Sequence, residues 1–269
     1  MRPEGSERED FVTPGIRNNP LTLFAMVFSA LIHDVGHSGV LNAQLVREHS
    51  PLAAAYDKKS VLERQSVDLG FALLMDDSFC NLRAAIYSNE DEFRLFRQLV
   101  VNAVFATDVM DKDLGSERRD RWQRACSERD GQDGPDATAN RKATIVIEHL
   151  IQASDVAHTM QHWHVYIKWN ERLFVELVRA YELGRTERHP AEDWYEGELG
   201  FFDYYVIPLA KKLKDCGVFG VSSDEYLDYA QKNRDEWQDK GRAKVEDYME
   251  KYRQSHVAEF QEAMALERR

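Results

Sequence analysis

With 269 residues, 43% hydrophobic and 30% charged, the chain is long enough for one large domain or two small ones with an ample core. Lys and Arg number 35 against 47 Asp and Glu, and the net charge of −12 excludes sequence-independent binding to a nucleic acid polymer. The three cysteines, Cys80, Cys126 and Cys216, are scattered and odd in number, which excludes a disulfide framework and zinc-finger spacing.

Met1 to Pro20 carries Pro3, Gly5, Pro14, Gly15 and Pro20 and reads as an irregular lead-in. Its first ten residues lack the apolar core of a signal peptide, so a cytoplasmic protein with no membrane span is expected. Twelve uncharged residues follow, LTLFAMVFSALI, which predicts a helix buried in the interior and too short to cross a bilayer. That run ends in His33, Asp34 and His37. On a continuing helix His33 and His37, four apart, share a face, and Asp34 lies about 100° round the same turn. A neutral imidazole beside a carboxylate suits zinc or a harder divalent ion. Taken alone, His33 reads as a helix-end cap or a satisfied core histidine rather than a ligand. Burying the Asp34 carboxylate against an apolar helix, however, costs several kcal/mol unless a cation or strong donors compensate. HDVGH matches the zincin H-E-x-x-H in spacing only, since Asp34 stands at the Glu and Gly36 weakens the helix.

Asn42–His49 and Ala53–Tyr56 read as helix, broken at Pro51. Ser60–Met75 carries a helical apolar stripe, and Ser60 with Glu63 forms a capping box at its start. Asp91–Thr107 continues the pattern through Phe96, Val100 and Val104. From about 113 to 141 apolar periodicity disappears, which predicts a polar surface excursion. Ala143–Thr159, Trp163–Leu183 and Leu199–Lys214 return to helix, with Gly184–Glu198 as a connection. The stretch from Ser223 to Arg269 is a charged helical tail. The expected fold is therefore all-α, a compact multi-helix bundle. Residues 1–20 form the lead-in, 21–240 the main domain with its insertion at about 113–141, and 241–269 the charged helical tail. Asp155 repeats the anomaly of Asp34, a carboxylate late in an apolar helix. Taken alone it fits a helix-end residue as well as a ligand; two such helices meeting would join His33, Asp34 and Asp155.

ALIHDVGHSGVLNAQLV resembles the metal-binding helix of the class I cyclic nucleotide phosphodiesterases, where the usual text is close to A-x-I-H-D-V-D-H-P-G-x-x-N. The resemblance continues through SVLERQSVDLGFALL, FATDVMDKDL, IQASDVAHTM, GELGFFDYYVIPLA and NRDEW, in family order from about Leu21 to Trp237. It implies an HD-type all-α domain that hydrolyses cAMP or cGMP, the substrate partner, to the 5′-monophosphate in signal transduction, with regulatory domains possible upstream. It also implies two divalent metal ions, zinc and magnesium (or manganese), sharing a hydroxide that attacks the cyclic phosphate. By position His33, Asp34 and Asp155 match the metal ligands, Asp34 bridging. His37, Glu63 and Asp108 match polar residues around the metals. Phe201 matches the aromatic stacking on the base, and His158 and Glu198 match base-contacting positions.

Four departures stand out. No histidine precedes His33, so the family's H-N-x-x-H segment, with its general acid and a further ligand, has no counterpart in this chain. The expectation is a truncated piece of such an enzyme or one that has lost the acid. Glu198 stands at a glutamine, and an ionised Glu accepts hydrogen bonds without donating. Gly36 replaces the Asp of HDVDH, and Gln65 and Ser66 stand where a His pair is usual. Two other readings remain beside the enzyme: a non-catalytic relative binding a nucleotide or a partner, and a broader HD-type phosphohydrolase.

Overall fold

Asn19 sets the start of the first helix. Its side-chain oxygen accepts from Thr22 N at 3.1 Å, and Pro20, whose missing N–H costs nothing there, opens α1 (Pro20–Ile32). The structure, a computed structural model, describes residues 19–111, 115–117, 120–122, 135–215 and 224–267, with side chains of 135–141 and 256–267 left out. Most of the expected lead-in, Cys126, Cys216 and much of the polar excursion lie outside the described residues. The regular structure among the described residues is helical throughout, as the sequence predicts.

α2 (Asn42–Arg47), α3 (Pro51–Ala55), α4 (Val61–Leu74), α5 (Cys80–Ile86), α6 (Glu90–Phe105) and α7 (Pro135–Asp155) follow. The expected break before α3 is present, with Pro51 as the first residue of α3 and Ser50 as its cap. α5 has no counterpart in the sequence reading. α1 packs chiefly on α6, and Ala25, Ile32, Val67, Phe71, Leu74, Phe96, Val100 and Val104 from α1, α4 and α6 form one core. Ala103, Ala106, Val146, Ile147 and Ile151 join α6 to α7 in a second.

Three expectations are corrected here. α1 is not buried all round: Leu23, Val27 and Leu31, four apart on one face, are 43%, 67% and 78% exposed. An unbroken apolar run says nothing about which face is covered. The helix also stops at Ile32. Val35 N donates to Ile32 O and His37 N to Asp34 O, and Gly36 adopts φ 76°, so His33, Asp34 and His37 sit on a turn rather than one helical face. The polar stretch before 141 is not all loop, since α7 begins at Pro135 and residues 115–117 and 120–122 are helical.

The chain divides into two compact units, Met1–Val156 with Lys211–Ser223, and Ala157–Ala210 with Asp224–Arg269. The second holds α8 (Trp163–Glu182), α9 (Trp194–Phe201), a π-helical segment (Phe202–Val206), the start of α10 (Ile207–Asp215) and α11 (Glu225–Glu267). Tyr166, Phe174, Phe202, Trp237 and Tyr248 are its fully buried aromatics. α9 begins at Trp194, five residues before the expected Leu199. The charged tail forms one helix of 43 residues that passes through 240 and 241 without a break. Among the described residues no helix is long and apolar enough to cross a membrane.

Candidate functional site

His33 is the C-cap of α1 and Asp155 the last residue of α7, so two helix C-termini meet at one point. Their partial negative charge favours a cation there. His33 Nε2 lies 3.3 Å from Asp155 Oδ1 and 3.4 Å from Asp34 Oδ2. One ligand atom from each of the three residues falls within 4.8 Å of the others. The other ring nitrogen, Nδ1, sits 2.9 Å from Ala30 O; a carbonyl only accepts, so Nδ1 carries a proton and Nε2 faces the carboxylates. The hydrogen bond to Asp155 pushes the His33 imidazole up to about 9, helped by Ala30 O and the charges of Asp34 and Asp155, against the lowering by burial. A proton held that firmly between two carboxylates marks a field a divalent cation would enter by displacing it. One imidazole nitrogen and two carboxylate oxygens fit zinc, magnesium or manganese. Asp34 is 61% exposed, so the burial cost inferred from the sequence does not act on it; the chain has already left the helix.

A second polar group is tied by Asn42. Its Nδ2 donates to Glu63 Oε2 at 2.8 Å and to Asp108 Oδ2 at 3.4 Å, while its Oδ1 accepts from Leu62 N at 2.9 Å. Asn42 therefore caps α4 from another helix, and the expected capping box does not form. Ser60, at φ 40°, donates its hydroxyl to Asp108 Oδ2 at 2.8 Å instead. Burial raises Glu63 above the usual carboxylate range, with the Asn42 hydrogen bond and the His37 charge opposing. His37 is thus beside Glu63 and not in the His33 cluster; its Nδ1 accepts from Gly39 N at 3.1 Å. Asn42 and Ser60 were missed as site residues, although Asn42 stands at the Asn of the resembled pattern.

Two of the departures, at Gly36 and at Gln65 with Ser66, lie together around the 33–37 turn. A Cβ on Gly36 would come within 2.7 Å of Leu69 Cδ1 and 3.2 Å of Gln65 Nε2. Ser66 Oγ donates to Val35 O at 3.1 Å. Gln65 and Ser66 thus buttress a turn that Gly36 makes possible.

His158, Glu198 and Phe201 lie in the second unit. His158 packs beside Trp169, ring centroids 6.5 Å apart. Phe201 stacks on Tyr205 at 5.3 Å, held at the start of the π-helical segment, which Arg234 clamps through Nε to Asp203 Oδ1 at 2.9 Å and Nη2 to Oδ2 at 3.0 Å. Asn233 donates to Thr159 O and Gln161 O, fixing the turn after α7. Glu198 accepts from the Tyr166 hydroxyl at 2.7 Å, and burial pushes its carboxyl up to about 7. Tyr166 and its neighbour Asn170 gave no signal in the sequence, where they read as ordinary helix residues.

The chain matches the family 3'5'-cyclic nucleotide phosphodiesterase over residues 15–219. It is 29% identical over 207 residues to the human dual specificity calcium/calmodulin-dependent 3',5'-cyclic nucleotide phosphodiesterase 1C, across 72% of this chain and 27% of that protein. To human dual specificity calcium/calmodulin-dependent 3',5'-cyclic nucleotide phosphodiesterase 1B it is 28% identical over 230 residues, 81% of this chain and 39% of that protein. The chain thus spans less than half the length of these curated relatives. The phosphodiesterase domain of the RhoPDE fusion protein from the choanoflagellate Salpingoeca rosetta superposes with a TM-score of 0.67 at 25% identity, covering 86% of this chain and 71% of that one. Since the family match takes in most of its residues, the chain belongs to the 3'5'-cyclic nucleotide phosphodiesterases.

Proposed function

We propose that this chain hydrolyses 3',5'-cyclic nucleotides, cAMP or cGMP, to the 5'-monophosphate with the help of two divalent cations, zinc and magnesium or manganese. The observation that carries the reading is the convergence of His33, Asp34 and Asp155 on two helix C-termini, with Nδ1 of His33 committed to Ala30 O. These three residues would hold the tighter cation. When bound, the cations would supply an activated water and positive charge against the phosphate oxygens. Asn42 keeps Glu63 and Asp108 in place, and both are proposed to orient water in the surroundings of that centre. Glu198, Phe201 and His158 are proposed to contact the base. No histidine precedes His33, so no side chain is assigned to protonate the leaving oxygen.

The test is hydrolysis of cAMP and cGMP by the purified chain with Mg²⁺ or Mn²⁺, beside Asp155→Ala, with metal content measured on both. Turnover that a chelator abolishes, and that falls at least about 10²-fold in D155A together with bound metal, is expected. Turnover indifferent to chelator and to D155A, or none in the intact chain, overturns the reading.

A further inference from the structure

The hydrogen bonds behind Glu198 run in one direction only. Trp194 Nε1 can only donate, and it donates to Asn170 Oδ1 at 3.2 Å. That fixes the Asn170 amide, whose Nδ2 then donates to the Tyr166 hydroxyl at 3.4 Å. The Tyr166 hydroxyl passes its own proton on to Glu198 Oε2. Asn170 and Tyr166 are 3% and 0% exposed, so water does not compete for these bonds. Oε2 is therefore an acceptor in every state, and a proton on this carboxyl resides on Oε1. Ionised, Glu198 offers two acceptors; protonated, it offers one donor beside one acceptor.

Those two faces fit different purines. The pairing edge of guanine presents two adjacent donors, N1–H and N2–H₂, which suit a carboxylate. The edge of adenine presents the N6–H₂ donor beside the N1 lone pair, which a carboxylate opposes and a carboxylic acid matches. We propose that Glu198 selects the base by its own protonation, taking guanine when ionised and admitting adenine when protonated, so that the preference for cGMP over cAMP grows as pH rises. The proposal rests on the assignment of Glu198 to the base made above. The two phenols facing Glu198 do not titrate in the same range. Tyr166 on α8 and Tyr248 on α11 are both raised above the ordinary phenol value, by burial first and by neighbouring carboxylates, those of Glu198, Glu171 and Asp247. Glu196 on α9 pairs with Arg242. Burial, opposed by the Tyr166 and Asn170 hydrogen bonds, brings Glu198 itself to about 7.

The experiment measures kcat/KM for cGMP and cAMP, and competition of both against a fluorescent cyclic nucleotide, from about pH 6 to about pH 8. In the intact chain the cGMP-to-cAMP ratio should rise about tenfold, the value of one hydrogen bond gained or opposed. Glu198→Gln should hold the ratio flat. Tyr166→Phe, which removes a donor to the carboxylate, should move the midpoint to higher pH, a shift that a purely structural role for Glu198 would not produce. A flat ratio in the intact chain, or the same pH dependence in E198Q, overturns the proposal. Loss of hydrolysis with the pH-dependent binding ratio intact overturns the proposed activity and leaves the selectivity standing. Failure of both nucleotides to bind at either pH overturns both.

Discussion

His33 is where charge, tautomer and position coincide. Its Nδ1 proton belongs to Ala30 O, and its Nε2 lies between Asp155 and Asp34, so with no cation bound the ring holds a second proton up to a pH of about 9. In chelated protein, NMR titration of the His33 ring should give a midpoint near 9 rather than the ordinary 6.5. Asp155→Asn removes the leading cause and should bring the midpoint down by at least about one unit, since a neutral amide cannot stabilise the imidazolium as a carboxylate does. An unchanged midpoint in D155N would mean that Asp155 does not hold the ring. The same proton competes with metal. Divalent binding to the wild-type chain should therefore strengthen as pH rises toward 9 and release a proton, measurable as buffer-dependent heat in calorimetry.

At the scale of elements, the position of His33 depends on how closely α1 meets α4. A Cβ on Gly70 would stand 2.6 Å from Ile32 Cδ1, 3.2 Å from Cγ2 and 3.3 Å from Cβ. Three atoms of one side chain, the Cβ among them, leave no rotamer that escapes, so the end of α1 must shift and carry His33 with it. Gly70→Ala should cost about 1–3 kcal/mol from overpacking, partly offset by up to about 1 kcal/mol of helix propensity. It should also weaken divalent metal binding roughly tenfold. Gly197, in α9 with nothing within 4 Å of its Cβ, is the contrasting site. There the same change should stabilise by about 0.5–1 kcal/mol. Urea denaturation of both variants with metal titration checks the pair. Equal effects would mean that helix approach at Gly70 is not tight. The periodic helices α4 and α6 were legible in the sequence because Val67, Phe71, Leu74, Phe96, Val100 and Val104 repeat with the helical period and face one core. Element ends were not. α1 stops because Gly36 turns left-handed, α4 starts on a cap supplied by Asn42 from 20 residues away, and α7 begins in a stretch with no apolar stripe to reveal it. The carboxylates Asp34 and Asp155 were visible as anomalies in apolar text. Their meeting at His33 was left open by the residues alone and expected through the family resemblance, because 122 residues separate His33 from Asp155 and the packing of α1 on α7 joins them.

For the molecule as a whole, Glu198 makes a term in stability that depends on pH with a definite sign. Its carboxyl titrates near 4.5 when the chain is unfolded and at about 7 when folded. Below about pH 4.5 both states hold the proton, and the group does not oppose folding. Between the two values the unfolded chain releases the proton while the folded chain keeps it, so stability falls as pH rises through this window and levels off above about 7. The shift corresponds to about 3 kcal/mol at most. Glu198→Gln keeps an acceptor for the Tyr166 hydroxyl and carries no charge at any pH. The difference in stability between E198Q and the intact chain should therefore grow with pH, small at about pH 5 and favouring E198Q by up to about 3 kcal/mol at about pH 8. Every other titrating group is common to both proteins and drops out of that difference. Urea midpoints of the two chains at four pH values across the window measure it. A difference independent of pH would mean that the donors of Tyr166 and Asn170 balance the burial of the carboxylate in full.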